Sequence, residues 1–238
     1  MAKKSSRPGG GGGGGGDVNA KYDLNLINAK QDDPEVTSKF KIAPEDVDNA
    51  LKEYERRMVK KDGNTSEIAV IVNKDGTITQ RQGGKDYVSF SEDMIARAYI
   101  VTHNHPSSNS FSTDDILLST VARLKEMRAT GIDYGSGKNI TYRVSGFDGP
   151  GSKLWGKTQD QRMKMIERAD SKARVTVVTK ALTDLAKGQF KTKDGTIIRG
   201  LSEKETGKYY KEVQQMMSHR HFTETSRSLG LKYSREEI

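Results

Sequence analysis

The sequence predicts a mixed α/β fold, and three observations carry that prediction. Short apolar runs rich in β-branched residues, at 68–72 and 98–102, read as strands. Between them lie longer segments whose apolar residues recur every three or four positions, as Val47, Leu51, Tyr54 and Met58 do, which is the spacing of one helix face. Turn signals separate the two kinds of segment: Asp75-Gly76, Pro106, and the glycine- and proline-rich stretch 145–156. A chain of 238 residues is long enough for one domain of ordinary size with a smaller part appended.

Residues 1–17 carry Lys3, Lys4 and Arg7 and then a run of glycines over 9–16, which predicts a flexible basic leader, because folded elements do not bear that entropy cost. No strand precedes these glycines and no Gly-Lys-Ser/Thr follows them, so a phosphate-cradling loop is set aside. Residues 18–41 are polar, with Leu24, Leu26 and Ile27 marking a short extended arm. Pro44 at the first helical position and Glu45 and Asp46 in the first turn predict a helix ending near Asp62-Gly63. Strands at 66–72 and 77–79 flank Asp75-Gly76 as a hairpin. A further strand is expected at 86–90, a brief helix from Ser91, and a strand at 98–102 that Pro106 ends.

Ser112 opens a helix with Ile116, Leu117, Val121, Leu124 and Met127 at helical spacing, expected to run to Thr130-Gly131. Residues 139–144 form another expected strand. The loop 145–156 sets a boundary, giving a domain over 18–152 and a basic, mainly helical extension over 153–238. That extension contains helices at about 158–186 and 202–229, with a hairpin-like turn at Asp194-Gly195 between them.

The formal net charge of +8 is unevenly placed: basic and acidic residues cancel, 21 against 21, over 1–152, while 153–238 holds 19 against 11. Such asymmetry fits a nucleic acid or another acidic partner for the C-terminal third, or simply a basic helix surface. With no cysteine there is no disulfide or thiolate ligand, so any metal rests on His, Asp and Glu. No apolar run of about 18 residues is present, and the charged N-terminal residues are not followed by an apolar stretch, so the expectation is a cytoplasmic protein without a membrane partner.

The chemistry concentrates at Thr102-His103-Asn104-His105-Pro106 and Ser112-Thr113-Asp114-Asp115. His103 and His105 stand two apart at a strand end, so both imidazoles point the same way. Asp115 falls in the first turn of the next helix. Two neutral imidazoles and one carboxylate around a divalent ion leave a net charge of about +1 and a free coordination position, the composition of a hydrolytic site. Ser112 and Asp115 equally fit a capping-box pair.

His103-x-His105-Pro106 with Ser112-x-x-Asp115 resembles the signature of JAMM (MPN-plus) metalloproteases, closest to their prokaryotic JAB branch. The words Thr102-His103-Asn104-His105-Pro106-Ser107 and Ser112-x-x-Asp115-Ile116 are also similar to RadC-type proteins, and Phe111-Ser112 is similar to JAB segments of phage head-morphogenesis proteins. The similarity spans about 67–144, and the loop at 107–111 lacks the Gly or Pro common in relatives. The resemblance implies a cytidine-deaminase-like mixed sheet and a zinc-dependent peptidase or isopeptidase acting on a peptide or ubiquitin-like conjugate. It makes His103, His105 and Asp115 metal ligands, Glu67 the general acid and base, and Ser112 a hydrogen-bond donor to the oxyanion or water. Glu92 competes for the Glu67 role, but a first-turn acid is also explained by the helix dipole. A phage origin would place the protein in host cytoplasm or virion, with a phage head component as a partner. The alternative function is a non-enzymatic phage structural or nucleic-acid-associated protein that keeps the fold.

His219 and His221 lie two apart in a predicted helix, where they do not face each other, and read as ordinary helix-surface residues. Trp155, Tyr209 and Tyr210 stand among basic residues; core packing is favoured for each over stacking on nucleic acid bases.

Overall fold

A computed structural model describes residues 35–60, 66–85 and 87–238. The leader, the arm at Leu24, Leu26 and Ile27, and the helix end expected near Asp62-Gly63 lie outside the described residues. The chain is α/β: β1 (Glu35–Lys41), α1 (Val47–Lys60), β2 (Ile68–Asn73), β3 (Thr77–Gln82), α2 (Glu92–Arg97), β4 (Ala98–Asn104), α3 (Thr113–Val121), β5 (Glu126–Ile132), β6 (Asn139–Ser145), α4 (Gln159–Ala186), α5 (Tyr210–Leu229) and β7 (Lys232–Glu237). The strands make one seven-stranded sheet in the order β1-β3-β2-β4-β5-β6-β7. Only β4 and β5 pair in parallel, and α3 is the crossover that this connection requires.

Alternation along the strands sorts the core into two faces. Ile68, Val70 and Val72 of β2 face Leu51, Tyr54 and Met58 of α1, while Ala69 and Ile71 turn to the other side, where Val101, Met127 and Tyr142 meet Ile116, Ile166 and Phe222. Each large apolar side chain buried in this way contributes about 1.5–3 kcal/mol. The β2–β3 hairpin forms as its Asp-Gly turn predicts, with Gly76 at φ 88°, where a side chain would be strained. Pro44 to Asp46 form a single 3-10 turn ahead of α1, so that helix starts three residues later than its cap signal suggests.

Three expectations are corrected. Residues 113–130 do not form one helix: α3 stops at Val121, Arg123 takes φ 51°, and the chain enters β5. Leu124 and Met127 keep their buried places, but Met127 gains its place from a strand paired on both sides, a tertiary gain that outweighs helical spacing. Residues 87–90 are not a strand: the Tyr87 carbonyl accepts from Gly84 N at 2.8 Å, no strand of the described residues pairs with them, and Asp86 lies outside the described residues. Trp155 is 54% exposed, and its neighbour Leu154 fills the core position instead.

The loop at 145–156 does not part the sheet or its core. Beyond it, α4 starts at a Thr158 capping box, a single helical turn at Glu203–Thr206 and a 3-10 turn lead into α5, and Gly230 at φ 72° ends that helix and turns the chain into β7. Strand β7 pairs with β6 along its length, and Ile166, Phe222, Leu229 and Leu231 enter the main core. The hairpin-like turn at Asp194-Gly195 closes through a bridge between Lys191 and Ile197, and Phe190 and Ile198 pack with Ala181 and Val213 in a small third cluster.

Candidate metal centre

Strand β4 delivers His103 on the face away from α1, since its cross-strand partners are Ala69 on β2 and Ala129 on β5. His105 lies just beyond the strand end, and its backbone N–H still reaches the Thr130 carbonyl at 2.9 Å, which continues the parallel pairing by one step. The two rings meet edge to face with Nε2 atoms 2.7 Å apart. Asp115 comes from the first turn of α3; its Oδ1 is 3.2 Å from His103 Nε2 and its Oδ2 3.7 Å from His105 Nε2.

The separations of 2.7, 3.2 and 3.7 Å bracket the edge of about 3.3 Å expected of a tetrahedron with metal–ligand bonds of about 2.0–2.1 Å. His103, His105 and Asp115 thus form a buried group able to hold a metal ion, the one such cluster among the described residues. The donor set fits as well as the distances. His105 Nδ1 donates to the Asn109 carbonyl at 3.0 Å, which leaves the Nε2 lone pair turned inward. Asp115 Oδ2 accepts from both the backbone N–H and the hydroxyl of Ser112 at 2.7 Å, which fixes the carboxylate plane and leaves Oδ1 toward His103.

The electrostatics follow from this packing. Burial pushes the Asp115 carboxyl up, but His103 and His105 outweigh it and hold the group well below the usual carboxylate range. Burial disfavours the His103 cation, yet Asp115 and Glu67 together raise its pKa, while burial and the neighbouring His103 lower that of His105.

Glu67 precedes β2 by one residue and is 9% exposed. Carried on by two residues, the Ala69–His103 register places it opposite His105, on the same face. Glu67, His103, His105, Ser112 and Asp115 line one cavity of about 600 Å³, a ligand-sized volume. Its apolar wall is Val88, Phe90, Ile95, Leu118 and Met127. Glu92 does not line it; that residue sits exposed in the first turn of α2. Ser112 completes a full capping box with Asp115, and its hydroxyl proton is committed to the carboxylate.

Some contributors were not legible as site residues. The Asn104 carboxamide, between the two histidines, accepts from Ile68 N at 2.7 Å and donates to the Ser66 carbonyl at 3.3 Å, clamping the backbone on both sides of Glu67. The other histidine pair stays apart from the cavity. His219 Nδ1 bonds the Tyr233 hydroxyl at 2.8 Å, and His221 reaches Asp170 on α4 at 3.0 Å. Tyr209 is half-buried, with its hydroxyl on Asp194 and Thr196.

Comparison of the chain with protein-family models, with curated proteins and with solved structures gives no match. Among the described residues no helix is long and apolar enough to cross a membrane.

Proposed function

We propose that the chain is a zinc-dependent hydrolase of peptide or isopeptide bonds, of the JAMM type that its motif resembles. The observation that carries this reading is the presence of Glu67 on the wall of the cavity into which His103, His105 and Asp115 converge. Two imidazoles and a carboxylate suit zinc, and no thiolate is present to favour a softer ion. Zinc, when bound, supplies Lewis acidity that brings water from a pKa of about 15.7 to about 7 and polarises a carbonyl.

The chain's own residues supply the rest. Glu67 accepts the proton that water loses as its oxygen adds to the carbonyl carbon, then returns that proton to the departing amine nitrogen as the C–N bond breaks. Asn104 holds the backbone around Glu67, so the carboxylate meets the cavity in one place. Ser112 acts first by orienting Asp115; to serve an oxyanion its hydroxyl has to exchange that bond for one to substrate. Val88, Phe90, Ile95, Leu118 and Met127 give the same cavity an apolar lining for the non-reacting part of a substrate.

Metal content and turnover on peptide and ubiquitin-like conjugates test the reading. Wild type is expected to retain one equivalent of zinc, His103→Ala to lose it, and Glu67→Gln to keep the metal while losing turnover by at least about 10²-fold. A wild type that takes up no zinc overturns the proposal. A zinc-loaded wild type that cleaves neither substrate class favours a binding protein built on the same fold.

A further inference from the structure

The loop that follows His105 is held from a distance. Ser108 takes φ 54°, a left-handed conformation that costs a serine about 1 kcal/mol or more. It is kept there by its N–H on the His105 carbonyl at 2.8 Å, its Oγ accepting from Ile132 N at 2.9 Å, and the close approach of Gly131, where an added Cβ would lie 2.7 Å from Ser108 Cα. The remaining fixings come from α5, β6 and β7: on β6 the Tyr142 hydroxyl donates to the Ser108 carbonyl at 3.4 Å. Gln215, 4% exposed, donates its Nε2 hydrogens to the carbonyls of Ser108 and Ile132, both at 2.8 Å, and accepts from Tyr134 N at 3.1 Å. Ser218, one turn on and on the same helix face, accepts from Ser110 N at 3.0 Å, and the Tyr233 hydroxyl bonds Ser110 Oγ at 3.0 Å.

These bonds converge on one peptide, the Asn109–Ser110 unit: Ser218 takes its N–H, and Gln215 holds the carbonyl of the unit before it. Asn109, between Ser108 and Ser110, presents the carbonyl that takes the Nδ1 proton of His105 and so selects the tautomer whose Nε2 faces the centre. We propose that Gln215 is a positioning residue of the metal centre, holding through Ser108 the Asn109 carbonyl that sets the His105 tautomer, with Ser218 as its secondary support. The assignment rests on the metal-centre reading, and it makes α5, 107 residues away in sequence from Ser108, part of the site's outer shell. Its chemistry favours the carboxamide: only a group with two donors and an acceptor bridges two carbonyls and one N–H.

Gln215→Met keeps the side chain's length and removes all three hydrogen bonds. With far-UV circular dichroism matching wild type, zinc affinity measured by competition with a chromogenic chelator is expected to fall about 10–100-fold, the range for groups that orient a ligand imidazole. Ser218→Ala is expected to shift affinity in the same direction by less. In the metal-free protein, imidazole ¹⁵N spectra should show His105 as the Nδ1–H tautomer in wild type and as a mixture in Gln215→Met. A folded Gln215→Met variant with wild-type zinc affinity and an unchanged His105 tautomer overturns the proposal. If that variant does not fold, Ser218→Ala decides on the same two readouts. Failure of wild type to bind zinc, with the tautomer still dependent on Gln215, counts against the metal reading alone.

Discussion

Two buried polar clusters lie back to back across β4, and they are built on opposite terms. On the α1 face the Glu55 carboxylate accepts from the hydroxyls of Thr102 at 3.0 Å and Thr141 at 2.9 Å, with the Arg128 guanidinium 3.5 Å away. Arg128 also reaches Asp48 and Glu126, so the charges close on one another beneath the helix. One residue along the strand, His103 turns to the other face, where its partners leave a centre open to a cavity. The contrast teaches that buried charge does not by itself make a site. Burial pushes the Glu55 carboxyl up even against the pull of Arg128, and no part of Glu55 is exposed.

The comparison is broken most directly by removing one partner of the closed cluster. Arg128→Leu leaves Glu55 buried without its cation and is expected to cost about 3–5 kcal/mol in urea unfolding, with zinc uptake by the folded fraction unchanged. If zinc uptake falls in parallel, the two faces are coupled through β4 rather than independent. On the open face the expected response is to ligand: zinc at a hundredfold excess over its dissociation constant should stabilise wild type by about 2.7 kcal/mol, read as a rise in melting temperature. His105→Ala should show none of that rise. An equal rise in the variant would show zinc bound elsewhere.

A pH-dependent effect comes from His219, whose Nδ1 bonds the Tyr233 hydroxyl that in turn holds Ser110. Burial first, then the charges of Arg235 and Arg220, lower its pKa from 6.5 to about 4. The unfolded chain therefore binds a proton there that the folded chain refuses, so stability from this group is complete above about 6.5 and is lost as pH falls toward 4. Unfolding of His219→Gln, followed from pH 7 to 4, should show a shallower acid loss than wild type. An unchanged slope would mean that the imidazole is solvated in the fold.

The sequence disclosed what is local. His103, His105, Ser112 and Asp115 fall within one stretch, and the strand period and helix cap that bring them together are both short-range rules. The β2–β3 hairpin was legible because Asp75-Gly76 has the chemistry of its turn. Strand β5 was hidden because Met127, Arg128 and Ala129 have little strand preference of their own, and pairing with β4 and β6 decides their conformation. Strand β7 was hidden for a different reason. It is an edge strand of Lys, Tyr, Ser, Arg and Glu, held by Arg235 on Asp133, Glu236 on Arg143 and Glu237 on Lys138, so it offers no apolar alternation. Glu67 was found through resemblance, and Gln215 and Asn109 not at all, because one acts across the fold and the other through a backbone carbonyl.

The pairing of β7 with β6 has a consequence for how the protein is made. While a ribosome is still extending the chain, His103, His105 and Asp115 emerge well before the residues that steady their loop. Gln215, Ser218 and Tyr233 follow 107 or more residues behind the loop residues they hold, and β6 has no outer neighbour until Lys232–Glu237 arrive. A nascent chain therefore carries His103, His105 and Asp115 beside an unsteadied loop and an open strand edge, a state in which edge-to-edge association competes with folding. The steadying of the loop after His105 thus waits for α5 and β7 and not for the motif itself.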